Sequence, residues 1–450
     1  MQGSGCGMTR SKETKPTKVP FSATPAGEPA PVREWANPSV WTDPMLTALE
    51  QGVRGGRWHT LIDKVYSRIN LFTACRKVVG NKGAPGVDQI TVETFESHSR
   101  EELARLQAEL KDETYRPQAV RRKWIDKPGS REKRPLGIPT VRDRVVQTAL
   151  RNVIEPIFDV TFAEHSYGFR PRRGCHHALE HVERLLDGGH VYVVDADLKS
   201  YFDTINHQKL LERIREKVSD SRILKLIELF LQQGVMDGLE TWTPEEGSPQ
   251  GAVISPLLAN IYLNPLDHLL AEAGFPMVRY ADDFVILCRT RADADQALDL
   301  VRQWVATNDL TLHPTKTRIV DARTEHFDFL GYRFRGTVRL PRPKSEDKLK
   351  DTIRAKTRRT NGDSLPFLIH GLNQTLRGWF AYFRHCNQAV FQDLDRWTRS
   401  RLRSILRKRS GRKGRGRGKD HQRWPNRFFE EQGLLNLTAA HASYCQSSLR

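Results

Sequence analysis

The chain has 450 residues, and its 72 Lys and Arg residues against 54 Asp and Glu residues give a formal net charge of +18. That length predicts two to four domains with a substantial core, and the wide spacing of the six cysteines argues against a disulfide framework or a zinc ribbon. Because no apolar run approaches the roughly 20 residues that span a bilayer, and no apolar segment follows the N-terminus, we exclude a membrane protein and a secreted protein.

In chain order, the composition predicts a flexible leader followed by three differently patterned regions. Residues 1–45 are polar and rich in proline, which favours a leader without stable structure. Helical stretches and basic loops are predicted from residue 46 to about 134, and residues 135–340 show the clearest periodicity. Residues 341–450 are helical in places and strongly basic.

The clearest periodicity predicts a split βαβ unit. Alternating β-branched residues at 190–198 predict a strand, and apolar residues at helical spacing over 222–233 predict a helix. Two short apolar stretches around a turn, in MVRYADDFVILC (277–288), predict a hairpin. A second amphipathic helix over 292–310 and a strand over 315–322 complete the order strand, helix, hairpin, helix, strand.

This topology brings distant carboxylates together. The first strand should lie antiparallel to the second hairpin strand, so that Asp197 at its carboxyl end meets Asp282 and Asp283 in the hairpin turn. Clustered carboxylates repel one another unless a cation lies between them, and hard oxygen ligands suit Mg²⁺, which also binds phosphates. Acidic turn residues alone are usually solvated, but their position between apolar strands favours a metal site.

Positive charge is concentrated near the C-terminus. Between Arg399 and Arg427 there are 13 Lys and Arg residues and a single acidic residue, Asp420. The Gly- and Arg-rich centre of this run predicts a segment that is flexible without a partner and contacts the phosphate backbone of a nucleic acid. A solvated basic tail or a localisation signal is the alternative.

Around RYADDFVILC the sequence closely resembles the reverse transcriptases encoded by group II introns, which are also called intron maturases. Further blocks of that family occur in its order: NKGAPGVD (81–88), RPLGIPT (134–140), SYGFRPRRG (166–174), DADLKSYFDTI (195–205), GSPQGAVISPLLANIYL (247–263) and FDFLGYRF (327–334). The resemblance runs from about residue 46 to the C-terminus.

The resemblance implies an α+β right-hand polymerase of fingers, palm and thumb, with the split βαβ sheet in the palm, followed by a helical and basic maturase (X) region. We expect fingers over 46–165, and the palm with part of the fingers over 166–340. The thumb and maturase X domain are expected over 341–400, and a basic region that binds RNA or DNA over 401–450.

By resemblance, Asp197, Asp282 and Asp283 are the catalytic metal ligands and hold two Mg²⁺ ions, for which Mn²⁺ could substitute. Such ions would activate a primer 3′-hydroxyl and neutralise the leaving pyrophosphate. Phe202 matches the residue that closes on the sugar of the incoming nucleotide and selects dNTPs, and a core aromatic is the alternative. Gln250, in the SPQG loop, matches a residue that lies along the nucleotide.

Three cations match residues near the triphosphate in related reverse transcriptases. Lys127 and Arg134 match a pair that clamps the phosphates, and Lys316 matches a palm lysine near the pyrophosphate. Two cations there would offset charge as the bond breaks. Solvated surface charge is the alternative for each, and Arg131 or Lys133 could replace one member of the pair.

Contacts with RNA are expected at two places. SYGFRPRRG combines aromatic rings, which stack on bases, with guanidinium groups, which bind phosphates. The template-binding candidates in it are Tyr167, Arg170 and Arg172, although Tyr167 could equally be a buried packing residue. In the C-terminal part we expect the aromatic residues to form the core of the thumb. The arginines expected to face RNA there are Arg401, Arg403 and Arg407.

The leading hypothesis is an RNA-directed DNA polymerase that also binds its group II intron RNA to assist splicing and acts on target DNA in mobility. A further nuclease domain with paired cysteines and histidines, common in relatives, is not expected before Arg450. The alternatives are a pure RNA-binding splicing cofactor and a reverse transcriptase recruited for host defence or DNA repair. We expect a cytoplasmic bacterial protein that is not associated with a membrane, and leave association with the nucleoid and the oligomeric state open.

Overall fold

The computed structural model describes residues 32–38, 40–126, 133–237, 240–243, 246–247, 251–414 and 416–448. Helices dominate the N-terminal part, as predicted. They are α1 (Asp43–Gln51), α2 (Ile62–Val65), α3 (Arg68–Gly80), α4 (Val92–Ser97) and α5 (Ser99–Lys111), followed by strands β1 (Val120–Asp126) and β2 (Lys133–Ile138) and by helix α6 (Val141–Asp159). Helix α6 lies at the centre of this part, because apolar residues on several of its sides are buried.

The predicted flexible leader is wrong for its last residues. Val32, Val40 and Trp41 are buried in the N-terminal core. The indole Nε1 of Trp41 donates to the carbonyl oxygen of Asn152 on α6 at 3.0 Å. Large apolar residues among the prolines thus pack against the helices that follow, whereas residues 1–31 lie outside the described residues.

A central sheet organises the next part of the chain. Its elements are α7 (Cys175–Asp187), β3 (Tyr192–Asp197), α8 (His207–Arg215), α9 (Ser221–Leu231), β4 (Val235–Asp237), β5 (Glu240–Trp242), α10 (Ser255–Glu272), β6 (Met277–Tyr280), β7 (Asp283–Cys288), α11 (Arg291–Thr307) and β8 (Arg318–Asp321). Strand β3 pairs antiparallel with β7 and with β8, and β7 pairs with β6, so that the order is β6-β7-β3-β8. The split βαβ arrangement and the neighbouring position of the first strand and the second hairpin strand are confirmed.

Alternation along the strands divides the central sheet between two cores. Val194 belongs to the larger core, which includes α6, α8, α9, α10 and α11, whereas Val193 and Leu287 belong to a second core. Successive side chains of a strand point to opposite faces. Asp197 and Asp283 therefore lie on the face of Val193 and Leu287, away from the larger core.

A second sheet joins the N-terminal part to the central part. Strand β1 pairs antiparallel with β2 and parallel with β4, and β4 pairs antiparallel with β5, giving the order β2-β1-β4-β5. At one end of this sheet, Val120 and Val235 are buried. The other end of β1 extends into solvent, where Trp124 is exposed, and Trp242, the partner of Val235 on β5, is exposed as well.

The C-terminal part packs on the second core. Its elements are β9 (Phe327–Phe329), β10 (Tyr332–Arg335), β11 (Val338–Pro341), α12 (Pro343–Lys356), α13 (Leu365–Phe383), α14 (Gln388–Arg409), α15 (Lys419–Arg423), α16 (Asn426–Glu431) and α17 (Leu437–Ser448). The strands form a sheet of order β11-β10-β9. The expected aromatic core is confirmed, since Trp379, Phe380 and Phe383 pack around Phe391. None of the helices in the described ranges is long and apolar enough to cross a membrane.

Helix α17 is anchored to α14 by one carboxylate. Asp395 is buried, and its Oδ1 accepts a hydrogen bond from the backbone N of Leu437 at 3.0 Å. Its Oδ2 accepts from the backbone N and the Oγ1 of Thr438 at 3.0 and 2.7 Å. Asp395 thus satisfies backbone donors at the start of α17 that the helix itself leaves without acceptors.

We expect Asp395→Ala to lower the free energy of unfolding by about 2 kcal/mol, because buried N–H groups lose their acceptor. Urea unfolding measures this change, and faster hydrogen exchange within α17 should accompany it. Asp393→Ala is the matched control, since Asp393 lies on the same helix with a side chain that is 72% exposed. It should change stability by less than about 0.5 kcal/mol. Equal effects of the two variants would contradict this role of Asp395.

A buried histidine lies where α7, the end of α13 and α17 meet. The ring centroid of His385 is 5.0 Å from that of His176 on α7 and 5.5 Å from that of Tyr444 on α17. Burial, followed by the charges of His176, Arg339 and Arg384, lowers the pKa of His385 to about 3. The ring is therefore neutral in the folded protein.

This burial predicts a loss of stability in acid. An unfolded histidine has a pKa of about 6.5, so below that pH the unfolded chain binds a proton that the folded chain does not. The contribution of neutral His385 is present above pH 6.5 and is lost as the pH falls toward about 3. Urea unfolding as a function of pH should show a shallower acid loss for His385→Gln than for the wild type. His370→Gln, an exposed position on α13, is the control and should keep the wild-type profile.

Candidate active site

Two neighbouring strands place the predicted carboxylates side by side. Asp197 ends β3, Asp283 begins β7, and the two are direct cross-strand partners. Directly opposite residues have Cβ atoms roughly 4.5–5.5 Å apart. Asp282 precedes Asp283 in the turn between β6 and β7. The topology therefore brings together carboxylates that are far apart in the sequence, as predicted.

The electrostatics show that negative charge accumulates here. Burial, followed by the charges of Asp282, Asp195 and Asp197, raises the pKa of Asp283 to about 7. Burial also raises the pKa of Asp195, although the guanidinium of Arg318, with Nε 3.5 Å from Oδ2, opposes this shift. Asp195 lies two residues before Asp197 on the same face of β3, which makes it a fourth acidic group of the site.

A lysine supplies the cation nearest to these carboxylates. The Nζ of Lys316 forms an ion pair with Oδ2 of Asp197, as expected for a lysine near the reacting phosphates. Within the described ranges, no group of three His, Cys, Asp or Glu side chains stands ready to hold a metal ion. Asp197 is turned to the ammonium group of Lys316 instead.

The turn between β6 and β7 is held by a fully buried arginine. Arg279 donates from Nε to Oδ1 of Asp267 at 2.7 Å, and its NH2 group contacts Oδ2 of the same carboxylate at 2.5 Å. Its NH1 group donates to Oδ1 of Asn260 at 2.9 Å and to the carbonyl oxygen of Ala281 at 2.8 Å. Ala281 has φ +61°, a left-handed conformation that is costly for a residue with a Cβ. Arg279 thus fixes the backbone that presents Asp282.

The SYGFRPRRG segment supports the same turn from behind. The backbone N of Tyr167 donates to the carbonyl oxygen of Arg279 at 2.8 Å, and the N of Arg279 donates to that of His165 at 2.9 Å. A Cβ on Gly168 would lie 2.2 Å from the N of Ala281, so glycine is required at this contact. The segment therefore acts as an additional edge beside β6.

This placement corrects the predicted template contacts of Tyr167 and Arg170. Tyr167 is buried, and its OH hydrogen-bonds Nδ1 of His181 at 2.9 Å. Arg170 is also buried, where it pairs with Asp159 at 2.7 Å and donates to backbone carbonyls. Arg172 is half exposed and pairs with Glu34. Of the three, Arg172 alone keeps a guanidinium at the surface.

Phe202 lies in a short helical turn, residues 201–203, that follows β3. Its ring is half-buried against the larger core and lies 5.4 Å from that of Tyr201. A Cβ on Gly247 would lie 2.9 Å from the backbone of Asp203, so the SPQG segment starts in contact with this turn. Gln250 lies outside the described residues.

Of the predicted triphosphate clamp, the structure describes the backbone of Arg134. Lys127 lies outside the described residues. Arg134 is part of β2, opposite Ile125 of β1, and its side chain is likewise not described. Both positions remain predictions from the resemblance.

The C-terminal arginines bind partners within the protein rather than a free surface. Arg401 donates to Oγ1 and to the carbonyl oxygen of Thr357 at 3.0 and 2.9 Å. Arg403 is buried, with Nε 2.9 Å from the carbonyl oxygen of Trp424. Arg407 pairs with buried Asp420. These contacts correct the expectation that the three side chains face RNA, and they fix part of the segment that was expected to be flexible.

Sequence reasoning missed Arg279, Asp267 and Asn260. The available signal was Arg279 itself, since a cation inside the apolar strand MVRY requires a buried partner. That partner could not be chosen from the sequence, because Asp267 and Asn260 lie on a helix, α10, whose contact with β6 is set by the tertiary fold.

Comparison with protein families gives two adjacent matches. The family described as reverse transcriptase (RNA-dependent DNA polymerase) matches residues 125–334, which include every carboxylate of the site. The family described as group II intron, maturase-specific domain matches residues 347–424. The chain thus carries a reverse transcriptase domain followed by a maturase-specific domain.

Individual proteins agree with these matches. Group II intron-encoded protein LtrA of Lactococcus lactis subsp. cremoris is 38% identical over 219 residues, which cover 47% of this chain and 36% of LtrA. The chain therefore matches only about a third of the length of that relative. Protein YkfC of Escherichia coli K12 is 34% identical over 340 residues, which cover 66% of this chain and 88% of YkfC. A telomerase structure from Candida albicans has a TM-score of 0.40 at 13% identity, covering 64% of this chain and 61% of that one.

A reverse transcriptase domain implies a divalent metal ion. The donors present fit such an ion, because Asp197 and Asp283 lie side by side at the sheet edge and hard carboxylate oxygens are the ligands that these ions prefer. The raised pKa of Asp283 and the ammonium of Lys316 against Asp197 both indicate a site that requires a cation.

The buried pair of Arg279 and Asp267 generates a prediction for stability. Arg279→Leu should lower the free energy of unfolding by about 3–5 kcal/mol, because it leaves the Asp267 carboxylate buried without its cation. Adding Asp267→Leu should recover part of this loss, since both charges are then removed. Urea unfolding of the two single variants and the double variant measures the coupling.

The control is Arg302→Leu. Arg302 pairs with Asp299 on α11, and the side chains are 60% and 64% exposed. Solvent-exposed pairs contribute little, so a change below about 0.5 kcal/mol is expected. A loss in Arg279→Leu no larger than in this control would refute the structural role of the buried pair.

Proposed function

Because the chain belongs to the family of group II intron-encoded reverse transcriptases, we propose that it is an RNA-directed DNA polymerase, which extends a DNA primer on an RNA template with dNTPs. The cross-strand pairing of Asp197 with Asp283, beside Asp282 in the turn, supports this proposal most directly. It gives the polymerase reaction neighbouring carboxylates at the end of two paired strands, in a domain of the matching family.

Asp197, Asp282 and Asp283 would hold two Mg²⁺ ions, with Mn²⁺ as a substitute. Bound there, the ions would supply activation of the primer 3′-hydroxyl and neutralisation of the leaving pyrophosphate. The chain's own groups would position the reactants. Arg279 fixes the turn that carries Asp282, and Lys316 would exchange Asp197 for a phosphate oxygen of the nucleotide.

The nucleotide pocket would lie between the short turn that carries Phe202 and the sheet that contains β1 and β2. Phe202 would exclude a 2′-hydroxyl by steric contact, and Gln250 would hydrogen-bond the sugar or base. Lys127 and Arg134 would bind the triphosphate. These roles rest on the resemblance, and the position of Phe202 in the turn that directly follows the strand of Asp197 supports the first of them.

The division into fingers (46–165), palm (166–340), thumb and maturase X domain (341–400) and basic region (401–450) is part of the same proposal. The maturase-specific match supports binding of a group II intron RNA. Protein binding would assist splicing by stabilising the folded RNA, as any ligand favours the state that it binds. Target DNA as a further partner and a cytoplasmic location remain predictions.

Primer extension tests the polymerase proposal. With an RNA template, an annealed DNA primer, Mg²⁺ and dNTPs, the wild type should extend the primer. A double variant, Asp282→Ala with Asp283→Ala, should lose activity by at least about 1,000-fold, because several kcal/mol of charge stabilisation at the metal site disappear. Asp299→Ala, an exposed position on α11, is the control and should extend like the wild type.

Two outcomes decide between this proposal and the splicing-cofactor alternative. If the double variant keeps its RNA affinity and loses extension, the carboxylates act in the reaction. The other outcome is a wild type that does not extend the primer but binds structured RNA tightly, with an affinity that falls steeply as salt rises. In that case the polymerase proposal fails and an RNA-binding splicing cofactor takes its place.

A further inference from the structure

The turn between β9 and β10 has a backbone conformation that one of its two residues does not favour. Strand β9 ends at Phe329 and β10 begins at Tyr332, so that Leu330 and Gly331 form a two-residue hairpin turn. Both have positive φ angles, +48° at Leu330 and +80° at Gly331. Glycine adopts this conformation freely, whereas it is costly for a residue with a Cβ. The turn therefore needs contacts that hold Leu330 in place.

Tyr382, near the end of α13, contacts this turn from the C-terminal part of the chain. Its hydroxyl donates to the carbonyl oxygen of Leu330 at 2.7 Å. Its ring lies against Gly331, where a Cβ would be 3.7 Å from Cε1 of the tyrosine. The carbonyl oxygen of Tyr382 accepts hydrogen bonds from the hydroxyl of Tyr332 and from Nε2 of His176, the latter at 2.8 Å. Tyr382 is therefore fixed through its backbone as well as through its side chain.

The other side of the turn reaches the candidate active site. Strand β9 lies against β3 and β7, the strands that carry Asp197 and Asp283. Burial raises the pKa of Asp283, and a hydrogen bond from the backbone N–H of Leu330 opposes this rise. The carbonyl group of Leu330 thus binds the Tyr382 hydroxyl, while its N–H group binds the Asp283 carboxylate. A single residue of the turn links the two side chains.

The linked side chains belong to different family matches. Asp283 and Leu330 lie in the reverse transcriptase match, residues 125–334, whereas Tyr382 lies in the maturase-specific match, residues 347–424. Burial, followed by the neighbouring Cys175, raises the pKa of Tyr382, and the charge of Asp283 contributes to the same shift. The hydroxyl therefore stays protonated at neutral pH and remains a donor to Leu330.

We propose that Tyr382 is a positioning residue of the polymerase reaction, which holds the Leu330 backbone so that its N–H fixes the orientation of the Asp283 carboxylate. This role rests on the proposed polymerase function and adds to it a contribution from the maturase-specific domain. Groups that hydrogen-bond to a metal ligand set its orientation, and a small error in that orientation weakens the site. Without the hydroxyl, the turn would relax and the Asp283 carboxylate would rotate more freely.

Single-turnover extension of a primer by one nucleotide tests this role. Tyr382→Phe removes the hydroxyl and keeps the ring, so that the packing against Gly331 is retained. The maximal rate constant should fall by about 10-fold, the effect expected when support of a metal ligand is lost. The half-saturating dNTP concentration, and the Kd of the primer–template duplex measured without dNTPs, should each stay within about twofold, because Asp283 acts on the reaction rather than on binding.

Binding of Mn²⁺ gives a readout that needs no catalysis. Free Mn²⁺ is followed by electron paramagnetic resonance while the protein is titrated without nucleic acid. Tyr382→Phe should weaken this binding by about 10-fold, and the double variant Asp282→Ala with Asp283→Ala should abolish it. A slower extension in Tyr382→Phe with unchanged Mn²⁺ binding would contradict the link to Asp283.

Tyr444→Phe is the matched control. Tyr444 lies on α17 and is half-buried like Tyr382, and its hydroxyl hydrogen-bonds Nε2 of His385 at 3.3 Å. This variant also loses a tyrosine hydroxyl from the C-terminal part, and it should keep the wild-type rate constant and Mn²⁺ binding. A fall in Tyr382→Phe no larger than in Tyr444→Phe, or a loss confined to primer–template binding, would overturn the positioning role.

A second substitution separates positioning from folding. Leu330→Asn introduces a residue that adopts positive φ angles more readily and is common in such turns. Combined with Tyr382→Phe, it should restore part of the lost rate constant, since the turn then needs less support. The absence of any recovery would refute Leu330 as the link.

The outcomes also separate this role from the proposed function. A wild type that extends the primer, with unchanged kinetics in Tyr382→Phe, overturns the positioning role and keeps the polymerase proposal. A wild type that binds Mn²⁺ more tightly than Tyr382→Phe but does not extend a primer keeps the link to Asp283 and refutes the polymerase proposal.

Discussion

The geometry of the candidate active site depends on one buried ion pair. Arg279 and Asp267 are both fully buried, and a buried charge is tolerated only where a partner and hydrogen bonds compensate for the lost hydration. The same guanidinium donates to Asn260 on α10 and to the carbonyl oxygen of Ala281 in the turn. Strand β6, helix α10 and the turn that carries Asp282 therefore have fixed relative positions. This explains how Ala281 keeps a left-handed backbone conformation that it would otherwise avoid.

The strands of the central sheet could be predicted from the sequence, because the pattern that marks each strand lies within a few neighbouring residues. Strand β3 follows from alternation over a few residues and β7 from a short apolar stretch after a turn, and the split βαβ order then requires Asp197 to meet Asp283. The support of the turn was not predictable in the same way. Tyr167 and Arg170 have the composition of a nucleic-acid contact, yet Asp159 and the backbone of β6 bury them. Such contacts join residues from different helices and strands, and periodicity contains no information about them.

In the basic C-terminal part, too, the sequence does not reveal the contacts that individual charged residues make in the fold. Thirteen cations within a short stretch predict a surface for nucleic acid, but composition does not tell which guanidinium is solvated. Both Arg403 and Arg407 on α14 bind the region of α15. Arg403 donates to the carbonyl oxygen of Trp424, which follows α15, and Arg407 pairs with Asp420 within α15. Asp420, the single acidic residue of the stretch, is buried and accepts a hydrogen bond from the backbone N of Arg417. A lone acid among so many cations was therefore the one sign in the sequence that part of this stretch is folded.

Arginine thus has two opposite uses in this protein, and burial decides between them. Where a carboxylate lies within reach inside the fold, as Asp267 does for Arg279, the guanidinium fixes backbone geometry and is lost to external ligands. Where exposed aromatic rings are close neighbours, as Trp124 and Trp242 are for Arg122, the guanidinium lies against their rings. The first use fixes the turn that carries Asp282, and the second orders a guanidinium over two exposed rings of another sheet.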